Sequence, residues 1–598
     1  MRALDTFLKT SVVASSVCAA FSVTAMAANL INPLPDRRIY LSPTSNLTTP
    51  LVVNSGTPFG LDCGTTYMGT IKTIGTTDVT IQSNGTCATG MDPVIIPAAP
   101  VPNSWSLYQG NIYVANVSYQ VAQVFANSQL LDLAHFPEEA SEVKWLQPTS
   151  VATYSSTADS IVHLPSLPST DLIGAQMTYR GRYPWVIGTR TITNYSSATA
   201  TATLGVQSDV DLRAEDAPDV QRFYLEGKLW MLTNTKSPGW AFISNGAGGK
   251  LYVRMPDGQS PGTRLMAAFD TRRVIDARGA TNLTLNHVRV VGGYIGVDGG
   301  YLDSMATASN GLKVLYSEVS YSSFAAIYAS NATGLTVNRS SILGALHSGI
   351  YARVGSSGTK VTYSNFSNVN NVGMHRGGIA AIFLNKDVSP QVAYNNVYYS
   401  GKTAIWVGSS SHAAVNGNVV DGACINHGDC GGIYLISSPP GSAHPELNSS
   451  VTGNLVQNVT GEIVRIGGTA PERYGIYLDD YSNKVLVQGN IIQKSDTGMQ
   501  IHLGYNNNIS NNKFTGNQRW DILLSDSGNV QGDLMHDNLI HANNMFLGAT
   551  QAFYFAFGGQ SKPPVSGVAT PAAVFNSSDR NTYDSITPIS NISNLIYY

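Results

Sequence analysis

Two stretches of this chain set carboxylates against the same apolar frame: His427-Gly428-Asp429-Cys430-Gly431-Gly432-Ile433-Tyr434-Leu435 and Glu472-Arg473-Tyr474-Gly475-Ile476-Tyr477-Leu478-Asp479-Asp480. The shared Gly-Ile-Tyr-Leu core predicts two equivalent strands on adjacent layers, which gathers Asp429, Glu472, Asp479, His427 and Arg473 around one place. Crowded carboxyls do acid–base work: one keeps its proton and acts as an acid, while the other stays ionised as a base or nucleophile. Two carboxyls about 5 to 5.5 Å apart serve double displacement at a sugar, and about 6.5 to 9.5 Å leaves room for an attacking water. Asp480, at the end of its stretch, reads as a solvated turn residue.

Such groups need a rigid frame, and the sequence supplies a periodic one. From about 271 onward a short strand recurs with its first inward residue at Ile275, Ile295, Ile327, Ile350, Ile382, Ile405, Ile433, Ile476, Met499 and Ile522. The intervals are 20, 32, 23, 32, 23, 28, 43, 23 and 23, so a base period near 23 carries loop insertions. A second strand per coil places Asn three positions after an apolar residue: Val415 and Asn418, Val451 and Asn454, Val487 and Asn490, Ile509 and Asn512. Stacked amides satisfy one another without charge. No helical period competes. The expected class is all-β, a right-handed parallel β-helix.

Corresponding positions on neighbouring coils lie about 4.8 Å apart, so outward residues form columns. One column runs Tyr328, Tyr351, Phe383, Trp406, Tyr434, Tyr477 and then Gln500. It predicts an exposed aromatic track about 24 Å long on which sugar rings stack. The next runs Asp298, Ser330, Arg353, Asn385, Gly408, Ile436, Asp479, His502 and Ser525, a polar row suited to binding and catalysis.

Composition excludes other classes. With 12% charged residues and a net charge of -3, the chain lacks the clustered Lys and Arg that a nucleic-acid partner requires. Residues 1–27 read as a secretory leader, with Arg2 and Lys9, an apolar run over 12–23 and the cleavage site Ala25-Met26-Ala27. The mature chain then begins at Ala28 in a secreted or periplasmic setting, and no later segment predicts a membrane span. Cys18 leaves with the leader. Cys63, Cys87, Cys424 and Cys430 remain, and proximity pairs Cys63 with Cys87 and Cys424 with Cys430. No metal cluster or cofactor motif is read, apart from a conceivable calcium loop at Asp298-Gly299-Gly300 and Asp303.

The expected organisation is the leader over 1–27, an N-terminal β region over 28–269, the β-helix over 270–544 and a capping tail over 545–598. The N-terminal region holds a small antiparallel β-sandwich at about 105–215, followed by strands near 223–226 and 249–254 that lead into the solenoid.

The run Asn111-Ile112-Tyr113-Val114 through Gln123-Val124-Phe125-Ala126-Asn127 to Leu133-Ala134-His135-Phe136-Pro137 resembles the small β-sandwich of β-helical glycoside hydrolases, the group of β-xylosidases and α-L-fucosidases. Phe223-Tyr224-Leu225-Glu226, Ser237-Pro238-Gly239-Trp240 and Lys250-Leu251-Tyr252-Val253-Arg254 are similar to the approach to the helix in those families, and the two Gly-Ile-Tyr-Leu stretches resemble their catalytic strands. The resemblance implies Asp479 and Asp429 as the acidic pair, acting on a polysaccharide or oligosaccharide. One coil beyond Asp479, where the β-xylosidase type carries its partner carboxylate, this chain has His502.

Three readings stand on these residues. In a hydrolase, Asp479, Asp429, His502 and Glu472 are the catalytic candidates, Arg353, Asn385, His427 and Arg473 bind substrate, and Phe383, Trp406, Tyr434 and Tyr477 contact sugar. In a lyase or epimerase, Arg353 neutralises a uronate and His502 or Tyr477 takes the proton. The cations available for that chemistry are Arg353, His375, Arg376, Lys402 and Arg473. A glycan-binding surface protein without catalysis is the third.

Overall fold

The computed structural model describes residues 50–525 except 57, 127–128, 139–144, 154–158, 181–186, 206–221, 270–272, 301–307, 371–379, 439–445 and 462–471, together with 37–40, 538–541, 543–545, 551–556 and 582–583. The leader, Asp303, His375, Arg376 and most of the tail lie outside the described residues.

Each coil contributes three short strands, and the strands stack into parallel sheets of 14, 13 and 12 members. One coil comprises Cys430–Ile436, Ser450–Thr452 and Leu455–Val459, and the next Arg473–Leu478, Leu486–Gln488 and Ile491–Gln493. Ile433 pairs with Ile476, Val451 with Val487 and Val456 with Ile492. These are the inward positions of the repeat. From Ile71 to Ile540 they form one continuous apolar core, whose burial is the main driving force for stacking.

The asparagines form the expected ladder. Asn418 donates to Asn454 at 3.0 Å, Asn454 to Asn490 at 2.9 Å and Asn490 to Asn512 at 2.8 Å. Each amide also bonds a neighbouring backbone, as Asn454 does to the Val415 carbonyl at 2.9 Å. Each ladder asparagine sits just inside a turn, Asn418 after Gly417 at φ 63°, and caps buried groups that the sheets leave open.

The solenoid begins before the repeat becomes visible. Thr65–Met68, Ile71–Lys72, Thr80–Ser83 and Val94–Ile96 belong to the same three sheets, and Ile71, Ile81 and Ile95 pair directly with Ile275, Leu285 and Val290. Residues 98–269 are therefore an insertion between two stacked coils, built as antiparallel sheets of four, four and seven strands. The strands expected to lead into the solenoid belong to this insertion: Arg222–Glu226 pairs with Gln176–Arg180, and Gly249–Arg254 with Ile112–Val117. At the other end, Gln551–Ala556 continues the 13-stranded sheet past 544 by pairing with Trp520–Ser525.

Two expectations shift by register or pairing. Asp298 aligns with Tyr328 and not with Ser330, so it leaves the polar column. Its buried carboxylate accepts from Arg273 and from the Gly300 N–H, which commits the described part of the calcium loop to protein partners. The disulfides Cys63–Cys87 and Cys424–Cys430 are both formed. Among the described residues, no helix is long and apolar enough to cross a membrane.

Candidate active site

The aromatic column keeps its expected register but not its expected exposure. Tyr351 pairs with Phe383, Phe383 with Trp406, Trp406 with Tyr434, and Tyr434 with Tyr477. Ring centroids along this series lie 4.8, 5.2, 4.6 and 4.8 Å apart. Because strand spacing matches the contact distance of aromatic rings, each ring packs on the next. Tyr328, Tyr351, Phe383, Tyr434 and Tyr477 are 1 to 4% exposed. The row is a second apolar layer outside the core, not an open sugar track.

Its last two tyrosines carry the site. The Tyr434 hydroxyl donates to Oδ2 of Asp479, and the Tyr477 hydroxyl donates to Oδ1 of Asp429 at 3.1 Å. The bracing is reciprocal: the strand that follows Asp429 holds Asp479, and the strand that precedes Asp479 holds Asp429. Asp429 precedes its strand and Asp479 follows its own, and the crossed tyrosine bonds tie these opposite ends to one another's coils. Asp429 sits in the tight loop closed by Cys424–Cys430, at a left-handed φ of 49° that Asp tolerates better than most residues.

Burial and neighbouring charge act strongly on Asp429. Burial, then the charges of Asp479 and Glu472, push Asp429 up to about 8, against Lys402 and the Tyr477 hydrogen bond. Asp479 is buried, and its Oδ1 lies 2.8 Å from Nδ1 of His502 on the next coil. Asp480 Oδ1 lies 3.1 Å from the same nitrogen. Burial works against the imidazolium, but these carboxylates outweigh it and raise His502 to about 10. Burial also raises Glu472 and holds the phenols of Tyr434, Tyr477 and Tyr474 well above their ordinary range. Burial, then Arg180 and Lys402, keep His427 neutral, far below the usual imidazole range.

Asp479, Asp480 and His502 bring one ligand atom each within 4.8 Å of one another, the spacing of a cation site.

The sequence-derived candidates divide accordingly. Asp429, Asp479, Glu472, His502, Tyr434, Tyr477 and His427 share one electrostatic neighbourhood. Arg473 does not serve substrate: it is buried, with Nε 2.7 Å from Asp496, and donates to the Gly461 carbonyl. Arg353 and Asn385 lie four and three strands from the Asp479 position, about 19 and 14 Å by ladder spacing. Arg353 donates to the Tyr351 hydroxyl at 3.3 Å. Phe383 is buried within the ring stack. Trp406 is half-buried and closer, with the Lys402 ammonium 6.0 Å from its ring centre.

Three contributors escaped sequence reasoning. Asp480, read as a turn residue, shares the His502 proton. Tyr474, inside the quoted stretch, packs on Tyr477 at 4.6 Å. Arg180, from the insertion, donates to the Asn426 carbonyl beside His427, and nothing in its local sequence signals that contact.

Residues 380–561 match the family model described as right handed beta helix region. The chain is a right-handed parallel β-helix. No curated protein matches the sequence. A solved structure titled "Glycoside hydrolase" shares the β-helix at a TM-score of 0.50 and 11% identity, covering 83% of this chain and 89% of that one. The structure titled "The complex structure of XylC with xylose" aligns at 0.42 and 10%, covering 84% and 82%. The Azotobacter vinelandii mannuronan C-5 epimerase AlgE4 A-module aligns at 0.31 and 12%, covering 50% of this chain and 85% of that chain. At 11% identity the first of these shows a shared fold and nothing more.

Proposed function

We propose that this β-helix is a secreted carbohydrate-active enzyme that hydrolyses glycosidic bonds, with Asp429 as general acid and Asp479 as its partner carboxyl. The observation that carries the reading is the reciprocal bracing of two carboxyls on adjacent coils by each other's strand tyrosines. Asp429 holds its proton at neutral pH, as an acid that protonates a leaving oxygen must. Asp479 faces the His502 cation and accepts the hydrogen bond of the Tyr434 hydroxyl. It acts as base toward water or as nucleophile. Glu472 adds negative charge that discourages a second ionisation at Asp429.

The elimination reading loses support at its base. His502 and Tyr477, its two proton acceptors, both hold their protons at neutral pH. Binding without catalysis gives no reason to bury an Asp against a second carboxylate. The hydrolase reading agrees with the glycoside hydrolase that shares the β-helix. Two disulfides suit an oxidising compartment, in line with the leader read over 1–27.

The test is a screen of the protein from Ala28 onward against neutral and uronate-containing glycans, following reducing ends and the absorbance of unsaturated products together. Reducing ends without absorbance, lost in Asp479→Asn, are expected. Unsaturated product would establish the lyase, and retained glycan binding with neither signal would establish a binding protein.

A further inference from the structure

Arg180 ends the strand Gln176–Arg180 in the seven-stranded sheet of the insertion, and it is 0% exposed. Arginine is almost never fully buried unless its donors are engaged. Here Nη2 donates to the backbone carbonyl of Asn426, 246 residues away in sequence. Asn426 belongs to the disulfide-closed loop Cys424–Cys430, and Asp429 lies three residues further along that loop.

The preceding coil holds the other side of the same segment. The Asn426 N–H donates to Gly401 at 2.8 Å and the Cys424 N–H to Lys402 at 2.8 Å. Cys430 donates its N–H to Glu472 at 3.1 Å, joining the loop to the coil that carries Asp479. Asn426 is thus gripped on its N–H by the solenoid and on its carbonyl by the insertion.

We infer that Arg180 is a positioning residue of the active site: through the Asn426 carbonyl, the inserted sheets clamp the loop 424–430 and so fix Asp429 against Tyr477 and Asp479. The inference rests on the reading of Asp429 as the acid. It gives the insertion a part in the reaction, because a displacement of about 1 Å at a catalytic group costs up to about 100-fold in rate. Arg180 itself meets a backbone oxygen and not the substrate, so its effect is on geometry.

The test compares the wild-type chain with Arg180→Gln and Arg180→Lys, measuring kcat and KM on the glycan identified by the screen, the thermal midpoint, and hydrogen–deuterium exchange of peptides spanning 424–430. Arg180→Gln is expected to exchange faster over 424–430 while the strands of the 13-stranded sheet keep their protection. Its kcat is expected to fall about 10- to 100-fold with KM little changed. Arg180→Lys, which can still donate to the carbonyl, is expected to recover most of the protection and part of kcat. Arg180→Met replaces the Gln variant if that one does not fold. Wild-type protection over 424–430 in a folded Arg180→Gln protein would overturn the clamp, as would a loss of kcat that only follows the folded fraction. If the wild type cleaves no glycan, the functional reading fails, while the exchange measurement still decides the clamp.

Discussion

Nδ1 of His502 lies 2.8 Å from Oδ1 of Asp479 on the preceding coil and 3.1 Å from Oδ1 of Asp480. The pair makes His502 a cation over most of the accessible pH range, raised from 6.5 to about 10. A histidine raised on folding contributes stability that is fully present below its unfolded pKa and is lost as pH rises through its folded value. The excess thermal stability of the wild type over His502→Gln should therefore hold constant below about pH 6.5, decline above it and vanish beyond about 10. Thermal unfolding across that window checks it.

Asp429 predicts the opposite compromise. Its pKa rises from 3.8 to about 8 on folding, so the unfolded chain releases this proton first and stability falls between those values. Asp429→Asn, which cannot ionise, should melt higher than wild type at pH 9, match it near pH 4 and lose activity by about 100-fold or more. Melting curves at both pH values, with rates on the same samples, decide.

The pH–rate profile should lose activity on its basic side near pH 8, as Asp429 surrenders the proton it donates. The Tyr477 hydrogen bond and the Lys402 charge both lower that pKa. Tyr477→Phe and Lys402→Met should each move the basic limb to higher pH. A shift to lower pH in either variant would contradict the assignment of the limb to Asp429.

The repeat was legible where inward apolar residues and ladder asparagines recur in step, from Ile275 to Ile522, except at Ile295, which pairs with Arg273 and Ala325 while Val297 holds the inward position between Ile275 and Ile327. It was illegible at Ile71, Ile81 and Ile95, because an insertion of unrelated antiparallel strands separates that coil from its neighbour and no local period survives. The column from Tyr328 to Tyr477 was correctly aligned, since pleat alternation alone sets it. Its burial was not foreseen, because alternation says which face a ring takes and not what stacks upon it. The carboxyl stretches announced themselves through their shared Gly-Ile-Tyr-Leu frame. The crossed bonds from Tyr434 and Tyr477 depend on how adjacent coils overlap, and Arg180 depends on how the insertion folds back; neither is a local property of sequence.

The asparagine ladder should be a stability element independent of catalysis. Asn454→Ala removes the donor to the Val415 carbonyl and the acceptor used by the Asn418 N–H at 2.8 Å. A loss of about 3 kcal/mol is expected by chemical denaturation, with the pH–rate profile of the folded fraction unchanged.

The central claim is that Asp429 donates the proton to the departing oxygen, and leaving-group dependence tests it most directly. Asp429→Asn is compared with wild type on two glycosides of the sugar found in the screen, one with an unactivated sugar leaving group and one with an activated aryl group that departs without protonation. The expected result is a severe loss on the sugar glycoside with most activity kept on the aryl glycoside for the bond-cleaving step. An equal loss on both substrates, or none on either, would show that Asp429 is not the acid.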